Sequence, residues 1–140
     1  MARIGRRIAF DYGDVRIGVA ICDPDGILAT PIATLQSKNP NLKVEIANLL
    51  SEYEPIKAYV GNPKLLNGSD GEAVAKVLAF TEFITANFDL PITLVDERLS
   101  TVSAARKLRE SGVNAKDAKS VIDAAAAVAI LEQGLANESR

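Results

Sequence analysis

Three acidic positions stand far apart in the chain, each where a carboxylate is costly. Asp11 closes the apolar run Ile8-Ala9-Phe10 and is followed by Gly13, Arg16 and Gly18. Asp96-Glu97 closes a second apolar run, Pro91 to Val95. Asp123 is the only charged residue in VIDAAAAVAIL, Val121 to Leu131. It shares a helical face with Ala126, Ala127 and Ile130 through i+3, i+4 and i+7 spacing. An aspartate on such a face costs several kcal/mol unless it is paired, hydrogen-bonded or coordinating an ion. Lys119, four residues earlier, is one partner that satisfies it. A shared cation is another. Converging carboxylates repel one another, and a divalent ion removes that repulsion. Such ions activate water and stabilise a leaving oxygen in phosphodiester cleavage, often as a pair about 4 Å apart.

Composition narrows the chemistry further. The chain has no histidine and one cysteine. That excludes Ser-His-Asp and Cys-His nucleophile systems and the usual tetrahedral zinc sites. Carboxylates are left as the ligands, and they favour a hard cation such as Mg²⁺ or Mn²⁺. Cys22 lies in an apolar run and reads as core, with no intrachain disulfide possible and a cytoplasmic address. No window reaches the roughly 18 apolar residues of a membrane span, and the first residues lack a signal-peptide pattern. The 140 residues, 48% hydrophobic and 24% charged, suit one domain spanning 1–140. Net charge is −2, so bulk charge does not advertise a nucleic-acid binder. Basic residues nevertheless cluster at Arg3, Arg6 and Arg7 and again from Arg98 to Lys119. Solvated faces and a nucleic-acid surface both fit that distribution.

The elements that must position the acids follow from periodicity. Residues 6–12 and 15–23 alternate as two strands joined by the turn Tyr12-Gly13-Asp14. Asp23-Pro24-Asp25-Gly26 is a second turn, leading to a third strand from Ile27 to Leu35. Asn39-Pro40 begins a helix that runs to Pro55. A strand at Ile56 to Val60 is followed by a helix of about 18 residues, behind the capping box Ser69/Glu72. A strand from Pro91 to Val95, a helix from Thr101 to Ser111, a linker at 112–117 and a helix from Ala118 to Ala136 complete the chain. The order predicts a mixed sheet of about five strands: an antiparallel meander, then parallel strands alternating with helices. Parallel strands place ligands at their carboxyl ends. The loops after Phe10, Val60 and Val95 then share one rim. An all-alanine stretch at Ala124 to Ala127 lets the last helix come close to the sheet, bringing Asp123 towards Asp11. The loop GNPKLLNGSDG, Gly61 to Gly71, offers backbone amides to a phosphate or simply turns the chain.

These residues resemble a known family. FDYGDVRIGVA, Phe10 to Ala20, is similar to the first motif of the YqgF family. Gly61, Pro63, Gly68 and Gly71 match its second motif, VDERLST (Val95 to Thr101) its third, and Asp123 with Ala124 to Ala127 its last. The family is described as pre-16S rRNA nucleases or Holliday-junction resolvases. The resemblance implies an α/β, ribonuclease-H-like fold: a five-stranded mixed sheet, its first three strands an antiparallel meander, flanked by helices. It implies a metal-dependent nuclease of the 5′ end of precursor 16S ribosomal RNA, with Mg²⁺ or Mn²⁺ at Asp11, Glu97 and Asp123. Strand alternation alone leaves Asp96 and Glu97 both open, and the family pattern favours Glu97. Substrate-contact candidates are Gly13, Arg16, Asn62, Lys64, Asn67, Arg98, Ser100 and Lys119. Arg98 serves equally as an ion pair for Asp96 or Glu97. Where the family often has Asn, this chain has Leu65, which leaves Lys64 and Asn67 as the polar groups of that loop. The implied partners are structured RNA or branched DNA, with ribosomal particles supplementing an affinity kept modest and salt-sensitive by the acidic charge. Monomer and symmetric homodimer both remain open. Resolution of four-way DNA is the alternative activity. A non-catalytic nucleic-acid-binding domain is a third reading. An actin-like nucleotide binder would need a second lobe that 140 residues do not accommodate.

Overall fold

The computed structural model describes residues 4–62, 71–96 and 116–138, with side chains of the last segment from 125 onward. Its elements are β1 (Arg7–Tyr12), β2 (Arg16–Cys22), β3 (Ala29–Gln36), α1 (Leu42–Tyr53), β4 (Lys57–Asn62), α2 (Gly71–Asn87), β5 (Ile92–Asp96) and α3 (Lys116–Glu138). The sheet order is β3-β2-β1-β4-β5. β1 to β3 pair antiparallel, whereas β1, β4 and β5 run parallel. This is the sheet predicted from the sequence. The expected helix over 101–111 and the Ser69 cap lie outside the described residues.

Alternation along β1 explains why both faces of the sheet are covered. Ile8 and Phe10 join Ile17, Val19, Val60 and Leu35 under α1 and α2, which contribute Ile46, Val77, Phe80 and Ile84. Ala9 joins Ala20, Cys22, Tyr59 and Val95 under α3, which contributes Ala127, Ala129, Ile130 and Leu131. Ile130 and Leu131 are fully buried, worth about 1.5–3 kcal/mol each. Small residues on the α3 side allow close approach, and Gly134 takes this furthest. A Cβ there would stand 2.7 Å from three ring atoms of Tyr59. The glycine costs about 1 kcal/mol of helix propensity against alanine, but only glycine lets the ring lie on the helix backbone. Cys22 is buried on this face, where its Sγ accepts the Arg7 amide at 3.2 Å. Burial pushes its thiol pKa up, which fits the core role read from the sequence.

The last helix starts at Lys116, inside the expected linker, and β4 runs on to Asn62; two further boundaries differ for a reason visible in the hydrogen bonds. Helix α1 starts at Leu42 rather than at Asn39-Pro40. The Asn39 side chain accepts the Asn41 amide at 2.9 Å and donates to Glu45 at 2.5 Å, so it builds a turn ahead of the helix. Strand β3 starts at Ala29 because the amides of Ile27 and Leu28 are bound by the Asp23 carboxylate, each at 2.7 Å. Gly26 closes that turn with its amide on the Asp23 carbonyl and a φ of 71°.

The Leu28 amide, followed by that of Ile27, holds the Asp23 carboxyl below its usual range. A depressed folded-state pKa gives stability that is present above the unfolded value of about 3.9 and lost as pH falls through the folded one. Asp23→Ala is therefore expected to lower the urea midpoint at pH 7 and to differ little from the parent well below about pH 3.9. Equal deficits at both pH values would contradict this.

Candidate active site

Asp11 is the penultimate residue of the central strand, on the face covered by α3. The residue is 1% exposed. It stands opposite Gly18 of β2, and one residue beyond the Phe10–Val60 pair it is level with Gly61 of β4. Neither neighbour carries a side chain. Arg16 begins β2 two residues from Gly18, on the same face and at the same rim, partly buried. Gly13 holds the intervening turn through its amide on the Arg16 carbonyl at 2.9 Å. A Cβ at Gly13 would lie 2.8 Å from that carbonyl oxygen, so close backbone approach explains the glycine. Ser37 clamps the same turn by donating to the Gly13 carbonyl at 2.5 Å.

The acidic end of β5 separates by face. Val95 packs under α3, so alternation turns Asp96 to the α1/α2 side, beside its register partner Asn62. The Asn62 Oδ1 is shielded from solvent and has no hydrogen-bond partner among the described residues. Asp96 thus does not share a face with Asp11.

Helix α3 runs antiparallel to β1. Its last turn reaches the start of that strand through the 2.7 Å ion pair of Arg7 with Glu138, and Gly134 sits on Tyr59, the register partner of Ala9. Its N-terminal half, which carries Lys119 and Asp123, is directed towards the rim where β1 ends. Side chains of Lys119 and Asp123 are outside the description, as are Lys64, Asn67, Glu97, Arg98 and Ser100 entirely. Among the described residues no three acids, cysteines or histidines stand together as a ready metal shell.

Sequence reasoning grouped Arg7 with Arg3 and Arg6 as a basic surface. Arg7 is instead 3% exposed and belongs to the ion pair under α3. It also missed Lys76, whose ammonium joins Asp14 at 2.9 Å and Glu72 at 3.2 Å. Asp14 first and Glu72 second raise the Lys76 pKa. The contact ties α2 to the turn beside Asp11. Its partner is 62 positions away in sequence, beyond any local pattern.

The three-strand meander, the parallel second half and a buried acid at the carboxyl end of the central strand define the ribonuclease-H-like class. Two solved structures share the fold. They are the Thermus thermophilus RuvC in complex with Holliday-junction substrate (TM-score 0.57, 12% identity, 96% of each chain covered) and the fowlpox virus resolvase with junction DNA (TM-score 0.56, 14% identity, 96% of this chain and 99% of that one). The family model described as "RuvX: Holliday junction resolvase" matches residues 5–137, and the chain belongs to that family of phosphodiester-hydrolysing nucleases. Among its relatives, a Streptomyces coelicolor protein is 51% identical over 138 residues, covering 97% of this chain and 83% of its own. A Rhodococcus opacus protein is 48% identical over 143 residues, covering 97% and 80%. Both carry the name "Putative pre-16S rRNA nuclease". No helix among the described residues is long and apolar enough to cross a membrane.

Proposed function

We propose that this protein trims the 5′ end of precursor 16S ribosomal RNA in the cytoplasm by metal-dependent phosphodiester hydrolysis. The observation that carries the reading is the Asp11 carboxylate, buried at the carboxyl end of the central strand with glycines on either side. A buried carboxylate there is a hard oxygen donor on a rigid support, which suits Mg²⁺ or Mn²⁺. Glu97 and Asp123 complete the proposed ligand set. The turn of Asp96 to the opposite face favours Glu97 as the β5 acid, and the direction of α3 favours Asp123. A divalent ion held by these acids would supply an activated water and charge for the leaving oxygen. Arg16, at the same rim, orients a phosphate of the strand. Gly13 keeps the turn tight enough for that strand to pass, and Lys64, Asn67, Arg98, Ser100 and Lys119 are proposed as further backbone contacts. Ribosomal particles are the proposed source of substrate affinity that a net charge of −2 does not provide.

The family description favours a second reading, resolution of four-way DNA junctions. One experiment separates them. Precursor 16S RNA and a synthetic four-way junction are incubated side by side with the protein in Mg²⁺ or Mn²⁺, with and without chelator. The expected result is shortening of the RNA 5′ end that disappears with chelator, and an uncut junction. Paired nicks in the junction with the RNA intact would assign the DNA activity instead.

A further inference from the structure

A groove of about 420 Å³ opens on the α1/α2 side of the sheet, at the same end as Asp11 but on the opposite face. Tyr12, Phe80, Phe83 and Pro40 line it, with Lys43 and Lys76 beside them. Its volume is that of a small-molecule site. Phe80 is 4% exposed and braces the two half-buried rings. Its centroid lies 4.9 Å from Tyr12 at an interplanar angle of 33°, and 6.5 Å from Phe83 at 27°. Lys76 is shared by Asp14 and Glu72, whereas Lys43 is an exposed cation in the first turn of α1.

We propose that this groove holds one unpaired nucleotide of the substrate strand, its base against Tyr12 and Phe83 and its phosphate at Lys43. A wholly apolar occupant would press carbon against the Lys43 ammonium and strip its water without replacing it. A bare phosphate would leave the aromatic faces unmatched. A nucleotide carries both a π-face and an anion, and stacking platforms with flanking cations are how single strands are held without sequence preference. Continuity with the rim adds to this. Tyr12 follows Asp11 directly, about 3.8 Å further along the backbone, so a strand crossing the end of β1 passes from the acid face to the groove. The inference rests on the nuclease reading only for the identity of the strand.

The test reads binding in the Asp11→Asn background in chelator, where no cleavage interferes. Anisotropy of a labelled single-stranded oligoribonucleotide is compared with that of a blunt RNA duplex. Phe83→Leu is expected to weaken single-strand binding about tenfold. Lys43→Gln should weaken it severalfold and flatten its salt dependence. Duplex binding should be unchanged by either. On the wild-type chain, adenosine monophosphate should shift the Tyr12 and Phe83 ring resonances, and inorganic phosphate alone should not. That titration decides the matter if Phe83→Leu fails to fold. Parent-like single-strand binding by both variants, or ring resonances that adenosine monophosphate leaves in place, would overturn the proposal. So would a dimer of the chain that Lys43→Gln dissociates, since a second copy would then fill the groove. Cleavage by the otherwise wild-type chain with no binding change in either variant sinks the groove alone, whereas groove binding without cleavage sinks the catalytic assignment alone.

Discussion

Asp11→Asn is expected to lower cleavage of precursor RNA about a thousandfold while leaving the fold intact. The substitution keeps the shape of a residue that is 1% exposed and removes only its charge and one anionic oxygen. Metal-assisted charge stabilisation is worth several kcal/mol in the transition state, and each 1.36 kcal/mol is tenfold in rate. Added Mn²⁺ should raise the melting temperature of the parent, since a ligand at a hundred times its dissociation constant stabilises by about 2.7 kcal/mol. It should do little for Asp11→Asn. Turnover and thermal melts with and without Mn²⁺ check both halves. A variant that cleaves like the parent removes Asp11 from the chemistry. One that loses cleavage but keeps the full Mn²⁺ shift places the metal elsewhere.

Much of the architecture that holds Asp11 was legible in the chain. Alternation in Ile8-Ala9-Phe10 and Arg16 to Cys22 has a period of two because each face meets a different helix layer. The change to helical spacing after Leu42 marked the crossover to the parallel half. What local patterns could not show were contacts between distant segments. Asn39 reads as a cap because Asn-Pro usually is one, but its side chain closes a turn of its own instead. Gly134 looks like an indifferent interruption of an alanine-rich helix until Tyr59 is placed beneath it. Arg7 looks like one of three surface cations until Glu138 arrives from 131 residues away. The site follows the same division. Asp11 at a strand end was readable, and the choice between Asp96 and Glu97 was not, because it depends on which face Val95 takes.

Arg7→Met is expected to destabilise the protein by about 2–4 kcal/mol, and pairing it with Glu138→Leu to restore at least half of that. The Arg7 and Glu138 side chains are 4% and 20% exposed and 2.7 Å apart. The guanidinium also donates to the Gly5 carbonyl at 2.6 Å. Removing one member of a buried pair leaves a charge without a partner, at a cost of about 3–5 kcal/mol when burial is complete. The partial exposure of Glu138 lets water reclaim some of that. Its Oε2 already lacks a hydrogen-bond partner among the described residues, and a carboxylate at a helix C-terminus opposes the helix dipole. With Arg7 gone, the last turn of α3 should fray from β1. Replacing both charges with apolar groups removes the desolvation penalty on each side, which often makes such a swap neutral or better. Chemical denaturation of the parent, both single variants and the double variant closes the cycle. A double variant no more stable than Arg7→Met would show that the arginine acts through Gly5 and packing rather than through Glu138. Position 7 lies four residues, about 13 Å, from Asp11 along β1. Cleavage by Arg7→Met, assayed well below its melting point, should therefore stay within about twofold of the parent, separating an anchor of the fold from the chemistry at the other end of the same strand.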